Sequence, residues 1–155
     1  MWARFVRASE AKAQGLGGKF GDGGGVRPPP LHPEALAAKL ARKVFTNGKS
    51  DLEMVAGIYA RTLDGAFGGA EKLEFANCGW GDEEVKALAR VLPLARSVTS
   101  LDLSFNTRIG YYGYCALAEA IEAGGAPRLN RIISVPSLPL RRACEARGIK
   151  LLGYM

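Results

Sequence analysis

The chain is predicted to be an α/β protein, a short solenoid of parallel strands with helices on one side. A helical hairpin caps its N-terminal end, and an extended arm precedes the hairpin. Three observations lead there. One short alternating run is written twice, first as Lys72-Leu73-Glu74-Phe75-Ala76-Asn77-Cys78 and again as Ser100-Leu101-Asp102-Leu103-Ser104-Phe105-Asn106. Leu73 and Leu101, Phe75 and Leu103, and Cys78 and Asn106 are each 28 residues apart. Each run leads into apolar residues at helical spacing, so one period holds a strand and a helix, and strands joined by helices run parallel.

Residues 1–32 form a basic, Gly/Pro-rich arm. Residues 1–14 set Trp2, Phe5 and Val6 beside Arg4 and Arg7, a pattern that resembles a mitochondrial transit peptide. Glu10 and the lack of a serine run fit an ordinary basic leader instead, and both readings stand. No apolar h-region follows that would mark a secretory signal. Gly15 to Pro30 holds seven glycines and three prolines, too little apolar surface to bury, and predicts a flexible linker ending in a stiff polyproline piece. A phosphate-cradling loop is disfavoured because Gly15-Leu16-Gly17-Gly18-Lys19 lacks the flanking strand and the terminal Lys-Ser/Thr.

Residues 33–69 predict the hairpin. Pro33 suits a first helical turn, Leu36, Leu40 and Val44 form one stripe, and Asn47-Gly48 stops the helix. Ser50 or Asp51 is expected to cap a second helix, with Leu52, Val55, Ile58, Tyr59 and Leu63 on its buried face. The pair is expected to close the open end of the stack, which would otherwise leave an apolar face and a strand edge in water.

Residues 70–126 hold the two clear units. Alternation turns Leu73, Phe75, Leu101 and Leu103 inward and Glu74 and Asp102 outward. Asp82 is expected to cap the first unit's helix, with Glu83 and Glu84 complementing its dipole. Val85, Leu88, Ala89 and Leu92 form that helix's buried stripe, and Pro93 ends it. Ile109, Gly113, Leu117 and Ile121 continue the pattern in the second unit, and Gly124-Gly125 ends its helix.

The period and the form L-x-L-x-x-N/C resemble leucine-rich repeats, in particular the longer ribonuclease-inhibitor-like class. The resemblance implies that the Asn106 amide satisfies backbone groups in the turn after the strand, with Cys78 as the variant at the matching place. It also implies a concave strand face and a convex helical side.

Residues 127–155 read as a degenerate repeat and C-terminal cap. Leu129-Asn130-Arg131-Ile132-Ile133-Ser134 carries serine in place of the second leucine, and its inward residue is either Ile132 or Ile133. Pro136 and Pro139 are expected to forbid a normal strand-to-helix turn. Leu140 to Arg147 reads as a helix ended by Gly148, and Ile149 to Leu152 as a last strand.

The net charge of +6 is unevenly spread. Residues 1–49 carry nine Lys/Arg against three Asp/Glu, residues 50–126 six against eleven, and residues 127–155 six against one. An acidic middle between basic ends suits docking among neighbours of different sign better than uniform nucleic-acid binding. No apolar run is long enough for a transmembrane helix. Cys78, Cys115 and Cys144 are odd in number and widely spaced, which argues for an intracellular, reducing compartment; the basic leader makes the mitochondrion or another organelle a candidate beside the cytosol.

His32 is the lone histidine, so neither a triad nor a zinc site is expected, and no catalytic residue, metal or other cofactor is predicted. The expected function is a non-catalytic protein–protein interaction or scaffold subunit of a larger assembly, using the repeat face and the arm. Candidate partner-binding residues are Lys72, Glu74, Ser100, Asp102 and Ser104 on the strand face, with Trp80, Tyr111 and Tyr112 in the turns before the helices. Trp80 also aligns with Ile109, where it would serve as the apolar turn residue. The basic end, with Arg128, Arg131, Arg141 and Arg142, supports an alternative: an RNA-associated accessory subunit, such as one of an organellar ribosome, binding by salt-sensitive phosphate contacts.

Overall fold

A computed structural model describes residues 28–43 and 48–154. The expectations for residues 1–27, Val44 and Asn47 lie outside them. Among the described residues the chain is α/β, with five helices and one four-stranded parallel sheet in the order β1-β2-β3-β4.

Helix α1 (Pro33–Leu40) starts at a proline, and the His32 imidazole Nδ1 accepts from the Glu34 N–H at 3.4 Å; it ends at Leu40 with Ala41 as cap, earlier than the expected stop at Asn47-Gly48. Helix α2 (Lys49–Gly69) packs against it, giving the expected hairpin. Its cap is Gly48, at φ 67°, rather than Ser50 or Asp51, which lie in the first turn. The chain enters this helix through a left-handed residue, where glycine is relaxed. Of the stripe expected on α2, Leu63 is buried and joins the core with Phe67, whereas Val55 and Ile58 are exposed. The 21-residue helix is about twice as long as the next one, Asp82–Val91, and only its C-terminal half meets the core. Pro29 and Pro30 are buried, and Leu31 is tied to α2: its N–H donates to the Tyr59 hydroxyl (3.0 Å), which donates to its carbonyl (2.8 Å).

Strand β1 (Lys72–Glu74) leads into α3 (Asp82–Val91), a 3-10 turn at Leu92–Leu94 and β2 (Ser100–Asp102). Helix α4 (Tyr111–Glu122), β3 (Arg131–Ile133), α5 (Leu138–Arg147) and β4 (Lys150–Leu152) follow. The register pairs Leu73 with Leu101, Leu101 with Ile132 and Ile132 with Leu151. Leu73, Leu101 and Ile132 are buried in one cluster with Leu63, Phe67, Val85, Leu88, Leu117, Ile121, Leu140 and Ala143. Helices α2 to α5 therefore cover one face of the sheet. Ile132 is the inward residue of β3, and Ile133 is half-exposed on the other face.

The inward positions continue past the strands as Phe75, Leu103 and Ser134, carried by the bonds Phe75 N–H to Asp102 C=O and Leu103 N–H to Ile133 C=O, both 2.8 Å. Ser134 is tolerated in this apolar row because its hydroxyl donates to that of Tyr114 at 3.2 Å. A buried hydroxyl without a partner would be costly. Burial pushes the Tyr114 phenol up, and the Ser134 bond acts against that rise.

Three local expectations are corrected. Asp82 does not cap α3; Gly81 does, and its N–H donates to the Glu84 side chain at 2.8 Å. The Asp82 carboxylate instead accepts from the N–H of Gly110, the cap residue of α4, and so links the two helix starts. Pro139 does not block the turn after β3: α5 begins at Leu138 with the proline in its first turn, where the missing N–H has no intrahelical partner to lose. Arg147, counted in the sequence with the basic end, is spent on the fold. Its guanidinium donates to the carbonyls of Ile121 (2.6 Å) and Gly125 (3.1 Å), closing the C-terminal end of α4.

Candidate interaction surface

The face of the sheet opposite the helices carries two registered rows. One contains Lys72, Ser100, Arg131 and Lys150; the other contains Glu74, Asp102, Ile133 and Leu152. Glu74 and Asp102 are therefore neighbours on adjacent strands, about 4.8 Å apart laterally. Asp102 Oδ1 accepts from the Ser104 N–H at 2.8 Å, and neither acid forms an ion pair among the described residues.

The turns after β1 and β2 are built around one amide. Asn106 is 1% exposed. Its Oδ1 accepts from the N–H groups of Cys78 (2.9 Å) and Trp80 (3.1 Å), while its Nδ2 donates to the carbonyls of Phe75 (2.7 Å) and Leu103 (3.0 Å). Only a side chain that both donates and accepts can serve all four. The resulting turns place Asn77 and Phe105 at matching positions, both left-handed, at φ 51° and 59°. Asparagine tolerates that region; a bulky aromatic rarely occupies it. Phe105 is 56% exposed, and its ring lies 4.8 Å from that of Tyr154, which follows β4.

The sequence-predicted residues divide accordingly. Lys72 and Glu74 are exposed and Asp102 is half-buried on the outer face. Tyr111 and Tyr112 are exposed in the first turn of α4, their rings 5.9 Å apart edge to face. Trp80 is corrected: it is 0% exposed, with its ring 4.6 Å from Phe75, so it fills the apolar turn position instead of offering contact. Ser100 and Ser104 are corrected likewise, at 7% and 5% exposed. Small side chains sink between larger neighbours, and Arg131 Nε donates across Ser100 Oγ at 3.3 Å.

Sequence reasoning missed Phe105, Val135, Leu138 and Tyr154, which stand at the edge where strands end and helices begin. A signal existed for Phe105: the first unit has Asn77 at its place, a residue type at home in left-handed turns.

The four arginines of the basic end come from three different parts of the fold. Arg131 belongs to the sheet's outer face, Arg128 to the loop before β3, and Arg141 and Arg142 to helix α5. Cys144 is buried, and burial pushes its thiol up to about 11. A shallow groove beside α1 is lined by His32, Glu34, Ala35 and Arg90. Among the described residues no three His, Cys, Asp or Glu side chains gather to hold a metal ion, and no helix is long and apolar enough to cross a membrane. No family model matches the chain, and neither a curated protein nor a solved structure matches it.

Proposed function

We propose that this chain is a non-catalytic interaction or scaffold subunit, a short leucine-rich-repeat solenoid that joins a larger assembly through its outer strand face, its strand-end edge and its N-terminal arm. The repeat reading is supported by the agreement between the 28-residue interval and the register Lys72 with Ser100, Leu73 with Leu101. It is supported further by the four backbone bonds of Asn106, the role the family resemblance implies for that residue.

One observation carries the interaction reading. Among the described residues eight large hydrophobic side chains are exposed, and five of them (Phe105, Tyr111, Tyr112, Val135 and Leu138) lie at the one edge where strands end and helices begin. Clustered exposed aromatics favour protein contact. The odd number and wide spacing of the cysteines suit a reducing compartment, mitochondrial or other. RNA binding is the less favoured reading, because its arginines divide between sheet and helices and Arg147 is occupied.

Affinity purification of the full chain, of a chain lacking residues 1–30 and of the double variant Tyr111→Ala, Tyr112→Ala tests the proposal. Both changes are expected to deplete the same partners while the melting temperature of the tyrosine variant holds. Equal recovery with all three would refute it. Retention on RNA that falls steeply with salt would favour the alternative.

A further inference from the structure

The outer face has a focus of its own. Phe105 is an exposed aromatic held left-handed at φ 59°, where the preceding unit has an asparagine. Strain of this kind persists where surrounding structure enforces it, and it gathers at functional positions. Tyr154 lies against the Phe105 ring; the two residues follow β2 and β4, and the outward row at the end of the last two strands is the half-exposed apolar pair Ile133 and Leu152. In the same row, on the two strands toward the N-terminal end, stand Glu74 and Asp102, like charges side by side with no cation paired to them among the described residues. Such a pair opposes folding unless a cation answers it. One row thus passes from acid to apolar within four strands, and the aromatic pair closes its apolar half.

We propose that this row, anchored at Phe105 and Tyr154, binds a peptide segment of a protein partner that sets an aromatic or aliphatic side chain beside lysine or arginine. The apolar side chain seats on Phe105, Tyr154, Ile133 and Leu152, and the cation lies over Glu74 and Asp102. This deepens the interaction reading above and rests on it. The neighbouring row of Lys72, Arg131 and Lys150 repels a basic segment that strays from the acids, so the charges fix the register of the bound segment as well as its attraction.

The test selects a displayed library of random peptides on the full chain and measures the affinity of the enriched peptides, as synthetic labelled probes, for variants. Enriched peptides are expected to combine an apolar side chain with neighbouring Lys or Arg. Phe105→Asn, which installs the residue the first unit carries at that place, is expected to lower affinity about thirtyfold while leaving the melting temperature near that of the parent. Glu74→Gln with Asp102→Asn is expected to lower it about fivefold, and less at high salt. Enriched peptides that are acidic, no enrichment at all, or affinity unchanged by Phe105→Asn would each overturn the proposal. Binding lost on changing Tyr111 and Tyr112 but not Phe105 would also overturn it and would leave the interaction-module reading standing. Competition by a synthetic peptide of residues 1–14, together with self-association of the chain, would assign the row to the chain's own arm and overturn the partner assignment.

Discussion

Replacing Asn106 by alanine is the severest single test of the architecture. The amide accepts two backbone N–H bonds, from Cys78 at 2.9 Å and Trp80 at 3.1 Å, and donates to the Phe75 and Leu103 carbonyls at 2.7 and 3.0 Å. Alanine leaves all four groups without this partner in a site where the side chain is 1% exposed. An orphaned buried polar group costs about 1–3 kcal/mol. Carbonyls keep a second lone pair and water can enter the space left by the amide, so the sum is smaller than four full penalties, about 3–5 kcal/mol. With a urea dependence of about 1–3 kcal/mol per molar, the unfolding midpoint should fall by about 2 M. Urea titration followed by the fluorescence of buried Trp80 reads this directly. A midpoint shift under about 0.5 M would refute the claim that this one side chain holds both turns. Asn106→Asp separates the two halves of the role, because a carboxylate still accepts from Cys78 and Trp80 but repels the two carbonyls, so it should also be destabilising.

Three further outcomes are expected. Arg147→Ala should cost about 2–3 kcal/mol in thermal unfolding by releasing the last carbonyls of α4, and Arg147→Lys should recover only part, since an ammonium cannot span the same fork. Gly113→Ala should cost about 1–3 kcal/mol, because a Cβ there would sit 2.7 Å from Asp82 Oδ1 and 3.1 Å from Asp82 Cα; a double-mutant cycle with Asp82→Ala should show coupling at this α3–α4 contact. Cys144, its thiol pushed up to about 11 and buried, should resist a thiol reagent at neutral pH in the folded protein, while half-exposed Cys115 is modified first; equal rates by mass spectrometry would contradict the burial.

Much of the backbone was legible because the chain repeats itself. Leu73, Phe75, Leu101 and Leu103 read as interior from alternation alone, and all four are buried. Val85, Leu88, Ala89 and Leu92 did so from helical spacing, as did Gly113, Leu117 and Ile121. The candidate face was legible in part: Glu74 and Asp102 are partners in register, but the aromatic pair beyond them was not foreseen. Phe105 and Tyr154 are 49 residues apart, and only the parallel pairing of β2, β3 and β4 brings their rings together.

The sequence by itself determined what depends on neighbours along the chain: the period, which residues alternate inward, and where glycine ends α4 and α5, while the family resemblance singled out the Asn106 amide. Tertiary structure alone decided what depends on depth and on distant partners. It sank Trp80, Ser100 and Ser104, left Val55 and Ile58 uncovered, turned Ile132 rather than Ile133 inward, and moved Asp82 and Arg147 from local or surface roles to ties between helices. The physical reason is that the direction of a side chain follows from local backbone geometry, whereas its burial depends on which other elements reach it, and a helix of 21 residues beside one of 10 is covered over only part of its length.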